Sequence, residues 1–309
     1  MILVTGGAGF VGLNVVEQLR ARGEEVRVAD LDRPAIDVPF ERVDVREPPD
    51  SIFRGVKRVI HLAAITADPA RDARDPALIA EVNLLGTIRM LEAARRHGVE
   101  RFVYASTGAL YGAAGVGVEH PLDEEADRPV PETMYGITKY AAERTCLRLG
   151  SLWNLDVRIG RLGTAFGRWE HATSARTVIS PPTQLAALAR RGEDAVFFKL
   201  GATDYIYAPD LAAAIIAVLD AGAPKHRLYH LSTGAAWSLP EWCALLQQRF
   251  PQFRWRESTQ EAECNVMPLT RITRTRFSNQ RLEELGWCPR FTLAQARDDF
   301  LDWMDKHES

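Results

Sequence analysis

The chain has 309 residues, enough for one large domain or for a domain with a smaller lobe. Its 46% hydrophobic and 26% charged residues are the make-up of a soluble globular protein with a full core. A formal net charge of −3 gives no electrostatic footprint for nucleic acid or an acidic membrane surface.

The first residues lack a charged n-region and a cleavage site, and the longest plain apolar helical stretch, Leu211 to Leu219, is too short to span a bilayer. A cytoplasmic protein with no membrane partner is expected. Cys146, Cys243, Cys264 and Cys288 are scattered without a C-x-x-C pair, and the seven histidines do not cluster. No metal is expected, and the thiols are expected to be free and buried.

The chain opens with a short apolar strand, Ile2-Leu3-Val4, followed by Thr5-Gly6-Gly7-Ala8-Gly9-Phe10-Val11-Gly12 and a helix to Arg22 stopped by Gly23. Gly7, Gly9 and Gly12 spell G-x-G-x-x-G, while Gly6, Gly9 and Gly12 keep a three-residue spacing. Such a turn lets the backbone approach a pyrophosphate held on a helix N-terminus. The next strand, Glu25 to Ala29, ends at Asp30, near the offset of about 20 residues at which an acid meets the adenosine ribose hydroxyls. A carboxylate there repels a 2′-phosphate and favours NAD over NADP; Arg33 nearby keeps the phosphorylated cofactor open.

Val43-Asp44-Val45 is predicted as a third strand, with Asp44 either at an adenine edge or in a surface turn. Arg58 to Ala64 carries the next strand, whose Leu62, Ala63 and Ala64 include the small residues that let a ligand lie against backbone. A helix is predicted over Ala77 to His97, closed by Gly98. Asn83 lies within its apolar pattern, so it either ties the helix to a loop or sits just off the buried stripe. The strand Arg101 to Ala105 runs into Ser106-Thr107-Gly108-Ala109, a long loop follows, and Tyr135 to Leu149 is helical before a strand at Val157 to Ile159. The alternation predicts an α/β, Rossmann-type doubly wound parallel sheet.

Beyond about Arg161 the strands (Val196 to Leu200, Leu228 to Leu231, Phe253 to Glu257) are spaced irregularly, and capping boxes stand at Ser238/Glu241 and Thr292/Gln295. The expected division is an NAD-binding domain over 1–162, to which later segments return, and a mainly substrate-binding C-terminal lobe over 163–309.

Tyr135 and Lys139 are one helical turn apart on the same face. A free tyrosine has a pKa of about 10. A nearby ammonium and the positive charge of an oxidised nicotinamide both favour phenolate, which can take a proton from a substrate alcohol while hydride leaves carbon. Thr107 is placed to hydrogen-bond the substrate oxygen, with Ser106 as its alternative.

These segments resemble the extended short-chain dehydrogenase/reductases, the group of NAD-dependent sugar epimerases, dehydratases and related dehydrogenases. The resemblance rests on Thr5 to Gly12, Asp30, Asp44, His61 to Ala64, Asn83 to Thr87, Tyr104 to Gly112 and Tyr135 to Glu143, and extends to Asp204-Tyr205-Ile206-Tyr207 with Asp210 and to Leu285 to Pro289. It implies Thr107, Tyr135 and Lys139 as the catalytic set, with Lys139 also holding the nicotinamide ribose. On the same basis Gly6, Gly9, Phe10, Val11 and Gly12, then Asp30, Asp44 and Val45, then Leu62, Ala63, Ala64, Asn83 and Ser106 surround the cofactor. It also implies a homodimer in which the Asn83 and Tyr135 helices pair with a partner's to form a four-helix bundle.

Three departures bear on the substrate. Thr164 stands where nucleotide-sugar 4-epimerases usually offer Asn, Thr203 stands where an Arg usually grips the diphosphate, and Gly108-Ala109 replaces the acidic pair of dehydratases. The basic cluster Arg271, Arg274, Arg276 is either a local anion site or a solvated face. Arg168, Arg176, Arg271 or Arg274 are replacements for the missing cation, and Arg168 and Arg176, with Thr164, are the expected substrate contacts. They suit a phosphate or the carboxylate of a small sugar acid equally. The missing Arg tips the expectation towards a dehydrogenase acting on a sugar or sugar acid. The alternatives are a UDP-hexose 4-epimerase with tightly held NAD and a non-catalytic NAD-binding protein.

Overall fold

The computed structural model describes residues 1–66 and 68–307. In chain order its strands are β1 (Ile2–Thr5), β2 (Val26–Asp30), β3 (Phe40–Arg42), β4 (Arg58–His61), β5 (Arg101–Thr107), β6 (Asp156–Leu162), β7 (Thr164–Phe166), β8 (Ala195–Phe198), β9 (Tyr205–Tyr207), β10 (Leu228–Leu231) and β11 (Trp255–Ser258). The helices are α1 (Phe10–Ala21), α2 (Pro69–Arg74), α3 (Pro76–Ala80), α4 (Thr87–Arg96), α5 (Met134–Trp153), α6 (Pro181–Arg191), α7 (Ala208–Asp220), α8 (Leu239–Arg249), α9 (Gln280–Glu283) and α10 (Leu293–His307).

Seven strands form one sheet in the order β10-β6-β5-β4-β1-β2-β3, and every pairing in it is parallel. Both faces are covered, so the central strands are apolar along their length; all four residues of β1 are buried. On one face α1 buries Val15, Val16 and Leu19 against α7, whose Leu211, Ile215 and Leu219 are also buried. On the other, Met90 and Leu91 of α4 meet Ala142 and Cys146 of α5 over Phe102 and Tyr104. The strand order reverses between β1 and β4, and a doubly wound sheet opens its ligand crevice at such a switch point.

The smaller lobe gathers α6, α8 and α10 with the two-stranded pairs β8/β11 and β7/β9 around Phe166, Phe197, Trp242 and Phe300. Both capping boxes form: Ser238 exchanges hydrogen bonds with Glu241, and Thr292 with Gln295. Among the described residues no helix is long and apolar enough to cross a membrane.

Three expectations need adjustment. The third strand is Phe40–Arg42, not Val43-Asp44-Val45. The Asp44 carboxylate accepts the Arg46 backbone N–H at 2.9 Å and its guanidinium at 2.7 Å, and these local bonds hold a turn there. The helix drawn from Ala77 to His97 is interrupted by a π-helical turn, Glu81–Gly86. Its extra residue per turn leaves Asn83 fully buried, at 1% exposure, where an apolar stripe alone would not place an amide. Segments beyond residue 162 return to the larger domain: β10 pairs with β6 at the sheet edge and α7 packs on α1. All four cysteines are free, but only Cys146 and Cys243 are buried; Cys288 is exposed.

Candidate active site

The glycine turn makes one wall of a cleft of about 1130 Å³. That exceeds the usual 300–1,000 Å³ of a small-molecule site, as a dinucleotide together with a second ligand requires. Gly6 has φ +69°, and a β-carbon there would lie 2.6 Å from the Ala63 nitrogen; one on Gly12 would lie 2.1 Å from the Gly6 carbonyl oxygen. Only glycine permits β1, the β4 end and α1 to come this close. Asp30, at the end of β2, accepts the Ala8 N–H at 2.9 Å and the Leu31 N–H at 2.7 Å. Burial raises its pKa, and these backbone donors oppose the rise. Arg33 also lines this end of the cleft, but its side chain is largely exposed and lies 4.0 Å from Asp37, with no ion pair to Asp30 among the described residues. Leu62, Ala63, Ala64, Asp44 and Val45 line the same cleft, Asp44 with its charge held by Arg46.

Beneath the cleft lies a buried polar floor. Thr87 donates to the Asn83 carbonyl at 2.8 Å, so it accepts from His61 Nε2 at 3.0 Å, and His61 Nδ1 takes the Thr5 hydroxyl at 2.6 Å. Burial pulls the His61 pKa down to about 3, consistent with this neutral tautomer. Lys139 is buried, and its Nζ lies 4.2 Å from the centroid of the Tyr104 ring. No carboxylate pairs with it among the described residues, and burial lowers its pKa to about 7. A buried ammonium at a cavity wall without a protein acceptor fits a ribose hydroxyl pair. The glycine cradle and Asp30 fit the rest of NAD.

Thr107 ends β5, accepts the Ala109 N–H at 3.1 Å and hydrogen-bonds the Tyr135 phenol. Tyr135 lies in the first turn of α5, two residues after the Thr133 cap, whose hydroxyl oxygen accepts the Gly136 N–H at 3.0 Å. Thr107, Tyr135 and Lys139 therefore share one wall of the cleft. The sequence expectation that Lys139 acidifies Tyr135 needs correction. Burial raises the Tyr135 pKa, and the groups that oppose it are Thr107 and Arg176. The Lys139 ammonium is turned onto the Tyr104 face instead.

Ser106 is not a stand-in for Thr107. Its hydroxyl donates to Glu143 at 2.7 Å, and Glu143 is held in a buried pair with Arg161. Ser106 lines the cleft, but Asn83 does not. Its amide accepts the Ile65 N–H at 2.8 Å and donates to the Ile65 carbonyl at 2.9 Å, shaping the loop after β4 from behind.

The loop between β7 and α6 straps across the cleft. Thr66 donates to the Ala175 carbonyl at 3.0 Å, Asn14 to the Arg168 carbonyl at 2.8 Å, and Thr177 to Asp68 at 3.1 Å. The Arg176 guanidinium lies over the Phe10 ring, 5.2 Å from its centroid, and pairs with buried Glu170. Glu170 also accepts the Ser180 N–H at 2.8 Å and the Thr183 hydroxyl at 2.6 Å, pinning the strap to the start of α6. The resemblance places this loop over the substrate; the bonds that tie it down, from Thr66, Asn14 and Glu170, have no local pattern in the sequence. Phe10, Val11, Thr164 and Arg176 line the cleft, but Arg168 does not. It is engaged by Asp299, to which its Nε donates at 2.9 Å, so it is not a substrate contact. Arg271 likewise pairs with Glu261. Arg274 does line the cleft beside Gly108 and Phe277. A β-carbon on Gly108 would lie 2.4 Å from the Phe277 ring, so the acidic pair of dehydratases has no room there.

The family described as NAD dependent epimerase/dehydratase matches residues 2–231. The chain belongs to this family. It is therefore an enzyme of the extended short-chain dehydrogenase/reductase class, and its cofactor is NAD. A putative UDP-glucose 4-epimerase of Methanocaldococcus jannaschii is 27% identical over 98% of both chains. A UDP-glucose 4-epimerase of Halalkalibacterium halodurans is 31% identical over 69% of each. Among solved structures, the UDP-glucose 4-epimerase of Thermus thermophilus in complex with NAD superposes with a TM-score of 0.80 at 27% identity, covering 99% of both chains.

Proposed function

We propose that this enzyme is a nucleotide-sugar 4-epimerase that keeps its NAD through the catalytic cycle. The strap is the observation that carries this reading. It joins the β4 loop, α1 and α6 over the cleft, so exchange of a dinucleotide requires several hydrogen bonds and the Arg176–Glu170 pair to open together. An epimerase regenerates its cofactor each turn and tolerates such closure, whereas a dehydrogenase must release reduced cofactor. The UDP-glucose 4-epimerases among the relatives also favour this reading over the dehydrogenase that the missing Arg at 203 suggested.

Bound NAD supplies a hydride acceptor that returns what it takes. Lys139 holds the cofactor ribose. Tyr135 removes the proton from the sugar C4 hydroxyl and gives it back after the keto-sugar has presented its other face. Thr107 keeps the C4 oxygen within reach, and the strap excludes water from the exposed ketone. Two copies pair through the helices that carry Asn83 and Tyr135, where Leu85 and Ile137 stand 45% and 44% exposed.

The test is incubation of purified protein with UDP-galactose and with UDP-glucose, reading both the sugar products and the NADH absorbance band. Interconversion without net NADH is expected, and Tyr135→Phe lowers it by about 10²- to 10⁴-fold. NADH accumulating in proportion to added NAD refutes the epimerase assignment in favour of a dehydrogenase.

A further inference from the structure

The cleft wall beside Thr107 holds a cation that no carboxylate neutralises. Arg274 passes along Gly115, where a β-carbon would lie 3.3 Å from its own Cβ, and donates from Nη1 to the Gly108 carbonyl at 2.8 Å. Among the described residues that is its sole hydrogen bond, and it makes no ion pair. Arg161, Arg168, Arg176 and Arg271 each face a carboxylate. Burial disfavours the Arg274 cation and lowers its pKa. A guanidinium has five N–H donors in a planar fork, so most of its capacity is unused at the cavity surface. An anionic ligand there offsets the cost of a poorly solvated charge.

The position of the fork selects the anion. Gly108 follows Thr107 directly, so Arg274 is held next to the residue that faces the C4 oxygen. In a pyranose, the C5 substituent neighbours C4, whereas the diphosphate on C1 lies across the ring. We propose that Arg274 reads a carboxylate on C5 of the reacting sugar, making a nucleotide-activated uronic acid the preferred substrate over a neutral hexose. The inference rests on the 4-epimerase reading. The planar fork matches a carboxylate with two parallel hydrogen bonds.

The experiment measures kcat/KM of the NAD-loaded enzyme for UDP-glucuronate and UDP-glucose, together with dissociation constants of both and of UDP on the Tyr135→Phe protein. A preference of about 10- to 100-fold for the uronate is expected in turnover and in binding, the range of a charge-assisted hydrogen bond. Arg274→Met brings that ratio to about one, and Arg274→Lys, which keeps the charge but not the fork, leaves part of it. Equal handling of the two sugars by the wild-type enzyme overturns the proposal without needing any variant. So does a uniform weakening of UDP, UDP-glucose and UDP-glucuronate in Arg274→Met, which makes Arg274 a diphosphate ligand. Selective uronate binding without formation of a C4 epimer supports the role of Arg274 and sinks the epimerase reading alone.

Discussion

Replacing Lys139 by Met removes an ammonium that the folded chain buries against Tyr104, with no ion pair to a carboxylate among the described residues. Burial takes its pKa from 10.5 to about 7. At 1.36 kcal/mol per unit, that drop is a cost of roughly 5 kcal/mol to the cofactor-free fold. The cost is complete below about pH 7, where folded and unfolded states both carry the proton. Between about 7 and 10.5 the unfolded chain binds the extra proton, so wild-type stability rises with pH, and above that window the cost is gone. Urea unfolding of NAD-free wild type and Lys139→Met at pH 6, 7 and 9 reads this directly. The variant should be the more stable at pH 6, and its advantage should shrink by roughly 2–3 kcal/mol by pH 9. Packing differences between Lys and Met do not titrate, so the change with pH is the diagnostic quantity. Parallel curves for the two proteins refute the reasoning, because they mean Lys139 is solvated or paired. The same variant should fail to retain NAD, a stabilising substitution that costs function.

Arg168→Met should leave the KM for the sugar nucleotide within about twofold, since its fork is engaged by Asp299, and a large rise in KM returns Arg168 to the substrate site. Glu170→Gln strands Arg176 and loosens the strap at its buried anchor. Wild-type protein should keep NAD through gel filtration and the variant should lose it, with a stability loss of about 3–5 kcal/mol as for a broken buried pair. If the proposed dimer forms, the wild type should sediment as a dimer and Leu85→Glu with Ile137→Arg as a monomer in analytical ultracentrifugation; a wild-type monomer refutes the dimer, and a variant that stays dimeric moves the interface elsewhere. Gly12→Ala drives a methyl into the Gly6 carbonyl and should abolish NAD retention, with a mixed outcome only if α1 shifts as a body.

The parts of the fold that the sequence discloses are those imposed locally. Gly6, Gly7 and Gly12 make a tight turn because their neighbours leave no space for a β-carbon, and a glycine spelling announces that. The strand at Leu228 to Leu231 is found from its apolar run, yet its membership of the main sheet is not. Its pairing with β6 depends on long-range packing, with α7, the helix before it in the chain, seated on α1. The π-turn at Glu81–Gly86 is hidden for a similar reason. Its apolar residues keep helical intervals, and what rotates Asn83 inwards is the pair of bonds to Ile65, 18 positions earlier.

The arginines show where a site stops being readable from spacing. Arg168, Arg176, Arg271 and Arg274 have the same donors and the same charge, so no composition or interval separates a ligand contact from a structural tie. Their fates are set by which acid stands opposite: Asp299 for Arg168, 131 positions away, Glu170 for Arg176, and Glu261 for Arg271. Arg274 meets a carbonyl instead. A carbonyl satisfies a donor but not a charge, and a charge left partly desolvated at a cavity wall calls for an anion from outside the chain. The nearest reacting atom then limits which anion that is, and a carboxylate on the carbon adjoining C4 meets the limit where a distant diphosphate does not.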